Sequence, residues 1–169
     1  MAGVDHIGEG FPMNYVIRVW TESDIGGIAA IMCSHALWQH YGVTLASATI
    51  RLVELFAAGE KGWVVENDAQ QVMGFILYNT STFGNSGYIR LFGIQADATH
   101  HGLGQDLLRA VERDLRDHQV NRLVLLCTAW NHRARRFYER MGFEKIGDLP
   151  DWIQDGTMEV LYVKHLDRG

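Results

Sequence analysis

The sequence predicts a mixed α/β (α+β) protein of one domain, with a central, mostly antiparallel sheet of about seven strands and helices on both faces. Three observations carry this. Runs rich in β-branched and aromatic residues interleave with amphipathic ones in the order strand, two helices, three strands, helix, strand, helix, two strands. The 169 residues suit one domain, and no repeat, low-complexity tract or linker divides them. The third is the stretch from Tyr88 to Leu108, where a strand leads through a short turn into Gly102-Leu103-Gly104 and an amphipathic helix.

In chain order, residues 1–13 are glycine-rich and aperiodic and read as a flexible N-terminal extension, leaving 14–169 as the domain. Tyr15 to Trp20 reads as a strand. Thr21 to Asp24 then supplies N-cap residues for a helix from Ile25 to Leu37 with Ile28, Ile31 and Met32 on one face. Trp38, His40 and Tyr41 follow, then a second helix from Leu45 to Ala58 carrying Ile50, Val53, Leu55 and Phe56. Plain packing and the lining of a pocket stand level as explanations of that aromatic cluster.

Trp63 to Glu66 and Val72 to Tyr78, joined by Asn67 to Gln70, give a hairpin signal, and Tyr88 to Ile94 is the next strand. The helix after Gly102 places Leu103, Leu107, Leu108, Val111 and Leu115 at helical spacing. Arg122 to Cys127 is a short apolar run that suits a strand buried on both faces. Asn131 to Met141 reads as a helix ended by Gly142, and Phe143 to Ile146 and Met158 to Lys164 are the last strands, separated by a turn-rich stretch from Gly147 to Trp152.

The net charge of -5 argues against a general nucleic-acid surface. Cys33 and Cys127 are too few for a disulfide framework and lack metal-ligand spacing, so reduced thiols and no metal are expected. No apolar run is long enough to span a membrane, and the N-terminus lacks a signal-peptide core, so a cytoplasmic location is expected.

A strand, a glycine turn and a helix N-terminus make an anion site, because the first helical amides lack partners and the dipole is positive there. Gly104 is followed by Gln105 and Asp106, which fails the Walker pattern, and Leu107 stands where a dinucleotide fingerprint needs its third glycine. A short pyrophosphate turn remains. Farther on, Asn131, Ala134, Phe137, Tyr138, Glu139, Gly142 and Phe143 spell N-x-x-A-x-x-F-Y-E-x-x-G-F directly after an apolar strand.

The two blocks together resemble the GNAT superfamily of N-acetyltransferases over Tyr88 to Phe143, with Thr99 standing where that family usually has Arg or Gln. The resemblance implies a GNAT-like fold and acetyl transfer from acetyl-CoA, the co-substrate, to a primary amine by direct attack. It also implies that amides of His101, Gly102, Leu103, Gly104 and Gln105 hold the cofactor pyrophosphate, that a backbone amide near Ile94 faces the thioester, and that Asn131 bonds the pantetheine arm. Tyr138 would be the general acid on the departing thiolate. His100, His101 and Arg136 are candidates for contacts to phosphate.

The attacking amine has an ordinary pKa of about 10, so something must take its proton. The sequence does not single out that base: Glu66, Glu54, Asp151, His35 and His40 are all open. Arg90, a charge inside an apolar strand, either faces solvent or meets a carboxylate at a site, and it is carried as a candidate substrate-binding residue. Trp38, Tyr41 and Trp152 are the others, through cation–π contact with a small or cationic amine. The partners expected are thus acetyl-CoA and an amine-bearing small molecule or peptide, with no nucleic acid and no membrane. The final strand is a contact edge for a homodimer. The rival class is a non-catalytic acyl-CoA-binding sensor domain.

Overall fold

The computed structural model describes residues 14–99 and 101–166; the extension expected over residues 1–13, and His100, lie outside them. The elements are β1 (Tyr15–Val19), α1 (Ile25–Ser34), α2 (Ala36–His40), α3 (Leu45–Ala57), β2 (Lys61–Asn67), β3 (Val72–Asn79), β4 (Gly87–Ile94), α4 (Leu103–Asp117), β5 (Arg122–Thr128), α5 (His132–Arg140), β6 (Glu144–Pro150) and β7 (Met158–His165). The seven strands form one sheet in the order β1-β2-β3-β4-β5-β7-β6. Every neighbouring pair is antiparallel except β4 with β5.

Each sheet face carries its own core. On one, Leu103, Leu107, Leu108, Val111 and Leu115 of α4 pack on Ile76, Ile89, Leu123 and Leu125, with Ala134, Phe137, Tyr138 and Met141 of α5 joining at the margin. The spacing that predicts this helix is thus its buried stripe. On the other, Ile28, Ile31 and Met32 of α1 and Ala48, Leu52 and Leu55 of α3 pack on Val64, Phe75 and Leu77. Among the described residues no helix is long and apolar enough to cross a membrane.

Several expectations are corrected. The helix expected over Ile25 to Leu37 breaks at His35, which is extended (φ -94°, ψ 134°), and a second short helix, α2, contains Trp38 and His40. In α3, Ile50 and Val53 are exposed; the face it buries runs through the smaller Ala48 with Leu52 and Leu55, which fits closely against α1. The stretch from Gly147 is strand as far as Pro150, which is tolerated because β6 is an edge strand with no ladder partner beyond it. The last strand, β7, is no contact edge. Its Val160 and Tyr162 are buried, and it lies between β5 and β6, which leaves β1 and β6 as the edges.

Candidate active site

The parallel pairing of β4 with β5 covers only Gly87–Ile89 against Leu123–Leu125. Beyond it the strands separate, leaving a slot between the ends of β4 and β5. The β3–β4 register skips Arg90, which is a bulge residue. At the end of β4, the amide of Gln95 donates to Met73 O (2.8 Å). In the alternating antiparallel pattern the N–H and C=O of Ile94 therefore point away from β3 and toward the slot.

The Ile94 carbonyl already has a partner: it accepts from His35 Nε2 at 2.6 Å, which requires a proton on that nitrogen. His35 thereby ties the α1–α2 break to the slot wall. The Ile94 amide keeps the orientation expected of a donor to a developing oxyanion.

At the glycine turn, Gly102 is left-handed (φ 74°), the conformation that glycine adopts without strain, and it caps α4. The first intrahelical bond runs from Asp106 N to Gly102 O (3.1 Å), so the amides of Leu103, Gly104 and Gln105 precede the helical ladder. The His101 amide is drawn into the preceding turn by Ala98 O at 3.4 Å. A Cβ on Gly104 would stand 3.5 Å from Phe137, 3.6 Å from Phe92 and 3.7 Å from Ile94. The start of α4, the end of β4 and α5 therefore converge.

From α5, Tyr138 lies among Phe92, Phe137, Phe143 and Tyr162. Burial, with a smaller effect of Cys127, pushes its phenol well above the ordinary value, so it stays protonated at neutral pH; no hydrogen bond to a described residue engages it. Asn131 caps α5, its Oδ1 accepting from Ala134 N at 3.3 Å, which leaves its amide nitrogen free to donate elsewhere. Arg136 and His101 are exposed.

The acceptor-side candidates divide. Trp38 is 8% exposed and stacks on Phe75 beneath Gly93, so it belongs to the core; packing is the reason for this tryptophan. Arg90 donates through Nε to Glu60 Oε1 (2.8 Å) and sits 5.7 Å from the Tyr88 ring centre. The carboxylate it meets is the protein's own Glu60. Trp152 is 62% exposed in the β6–β7 connection.

Tyr41 donates to Glu159 and lies 2.9 Å from Thr128 Oγ1. Burial, then the Glu159 carboxylate, pushes its phenol up to about 12.

Among the candidate bases, Glu66 is bound by Arg18, Glu54 is exposed beside Arg51, and Asp151 accepts from Gly156 N in the β6–β7 turn. His40 Nε2 is 3.2 Å from Thr157 Oγ1, with its ring edge-on to Trp130. Glu159 and Thr128 escape sequence reading, although a carboxylate inside the apolar run Met158–Lys164 is the same signal that singles out Arg90.

Comparison with solved structures defines the fold first. A GNAT-family protein from Desulfovibrio desulfuricans superposes with a TM-score of 0.77 at 20% identity, over 91% of this chain and all of that one. A Bacillus anthracis protein assigned as a streptothricin acetyltransferase, solved with acetyl coenzyme A, superposes with a TM-score of 0.59 at 19% identity, over 64% of this chain and 63% of that one.

The family model described as the acetyltransferase (GNAT) family matches residues 27–143, and this chain belongs to that family. An uncharacterized N-acetyltransferase of Methanocaldococcus jannaschii is 33% identical over 103 residues, 60% of this chain and 64% of that one. The match spans under two thirds of the length of the curated relatives.

Proposed function

We propose that the protein transfers an acetyl group from acetyl-CoA to a primary amine by direct attack. The observation that carries this reading is the convergence of the start of α4, with its free amides, the end of β4, with the outward Ile94 amide, and α5, which bears Tyr138. The acetyltransferase family match and the Bacillus anthracis neighbour bound to acetyl coenzyme A support it.

The residues present fit that co-substrate. Leu103, Gly104 and Gln105 offer three amides at the positive end of a helix for a diphosphate, and Arg136 and His101 are exposed and open to phosphate. The slot is edged by unpaired strand backbone, which suits the amide-bearing pantetheine arm, and Asn131 can donate its amide nitrogen there. Acetyl-CoA supplies an activated thioester carbonyl.

The chain's residues do the rest. The Ile94 N–H stabilises negative charge on the carbonyl oxygen. Tyr138 donates a hydrogen bond to the sulfur as the C–S bond breaks. Its raised pKa keeps the phenol protonated, so the hydroxyl is available to donate to the sulfur, and it lowers the barrier by stabilising the thiolate.

Thiol release with acetyl-CoA against a panel of a diamine, an aminosugar and a short peptide with a free α-amino group tests the reading. Release with at least one amine is the expected result. CoA binding without release across the panel would favour an acyl-CoA sensor.

A further inference from the structure

Glu159 is 1% exposed, and its hydrogen-bond partners among the described residues are two hydroxyls, Tyr41 Oη and Thr128 Oγ1 (3.2 Å), with no cation among them. Removing a carboxylate from water without a counter-charge is costly, and such groups cluster at functional sites. Thr128 stands directly opposite Glu159 in the β5–β7 register, so both side chains share a sheet face. Cys127, one residue earlier, faces the other way, into the core that Tyr138 joins.

The position of the pair is set by α2, which crosses the slot. At its start His35 holds the Ile94 carbonyl on the β4 side, and at its end Tyr41 reaches Thr128 on the β5 side. Tyr41 is half-buried whereas Glu159 is closed off, so Tyr41 is the member that an incoming molecule meets. Nearby, the exposed Trp130 lies edge-on to His40.

Resting on the acetyl-transfer reading, we propose that Tyr41 and Glu159 form the proton acceptor for the nitrogen of the attacking amine, across the sheet from Tyr138. Tyr41 donates its proton toward Glu159, which makes its oxygen electron-rich and an acceptor for the amine N–H. As the C–N bond forms, the nitrogen gains positive charge and its N–H becomes acidic. That N–H bond breaks and an O–H bond forms on Tyr41, while the original Tyr41 proton passes to Glu159. The C–S electron pair leaves with sulfur. Of the two protons that an ammonium acceptor sheds, the first leaves to solvent before the attack and the second is the one taken by Tyr41 and Glu159. That proton returns to solvent by way of the half-buried Tyr41, and the departing thiolate takes its proton from solvent.

The other titratable and charged groups around the pair are His40 on α2, Cys127 on β5, and Tyr88 with Arg90 on β4, the last paired with Glu60. None of them donates to Glu159 in place of Tyr41.

The test uses the full chain and the amine of the panel that turns over fastest, with Tyr41→Phe and Glu159→Gln. Each variant should lose about 100-fold in kcat, the low end of proton-transfer catalysis, with KM for acetyl-CoA unchanged. The kcat deficit of both variants should narrow as pH rises toward the amine's own value of about 10, where hydroxide from solvent takes over the proton. If Glu159→Gln does not fold, as judged by its melting curve, Tyr41→Phe at the half-buried position decides alone. Wild-type release with variants that match it in kcat and pH profile overturns the proton acceptor and leaves acetyl transfer standing. No release from the wild type with any amine overturns both.

Discussion

Tyr15, on the first strand, donates a 2.6 Å hydrogen bond to Asp106 Oδ2, in the first turn of α4. Two segments 91 residues apart are thereby joined at the N-terminal end of α4, whose first amides precede the helical ladder. Asp106 raises the Tyr15 phenol above its ordinary value, with burial adding to it. The bond therefore contributes stability that is complete below the ordinary tyrosine value and is lost as pH rises through the raised one. Tyr15→Phe should lower stability by about 1 kcal/mol near neutral pH and weaken CoA binding. Denaturant melts at pH 7 and above pH 10 should show the difference between variant and wild type shrinking at the higher pH.

Gly104 has room for a methyl group at ordinary contact distances, and alanine is the better helix former by about 0.8 kcal/mol. Gly104→Ala should therefore melt at or slightly above the wild-type temperature yet bind CoA more weakly, since the added carbon stands beside the amides proposed to hold the diphosphate. Calorimetric titration with CoA checks the second half. Unchanged affinity would move the diphosphate away from this turn.

Tyr138→Phe keeps the ring packed against Phe92 and Phe143 and removes only the hydroxyl. Melting should be unchanged, and kcat with a good amine should fall by about 100-fold. Equal turnover would reduce Tyr138 to a packing residue.

Asp24, 3% exposed, is held by Arg18 through two 2.8 Å bonds and by the Thr21 amide at 2.7 Å. Burial alone would raise its carboxyl, but Arg18 and the Thr21 amide together keep it below the usual carboxylate range. Its stabilising effect is present above the ordinary aspartate value and disappears as pH falls through the lowered one. Asp24→Asn leaves Arg18 with Glu66 only and should cost about 3 kcal/mol, measured by denaturant unfolding at pH 7, with a smaller gap near pH 3.

The sequence reveals the parts whose signal is local. Gly102, the leucine stripe of α4 and the Asn131–Tyr138 helix are read within one turn of helix or one strand, and each lies where its pattern puts it. What stayed hidden depends on pairing across long separations. Tyr41 meets Glu159 118 residues away, and Arg90 meets Glu60 30 residues away. Neither partner can be chosen before the sheet order is known. The break at His35 is likewise invisible locally, because the ring's target is the Ile94 carbonyl. The strand order misleads at β7, where an apolar final strand reads equally well as an edge or an interior element.

The short β4–β5 contact has a mechanical consequence. Three register pairs, Gly87 with Leu123, Tyr88 with Val124 and Ile89 with Leu125, join two antiparallel subsheets, β1 to β4 and β5 to β7. In its hydrogen-bond ladder the sheet is thus two antiparallel leaves meeting at a narrow seam, with α4 packed across both. A long, flexible molecule laid across the opening and bonded to both leaves acts as a splint, and its binding stiffens the whole domain as it raises the unfolding temperature.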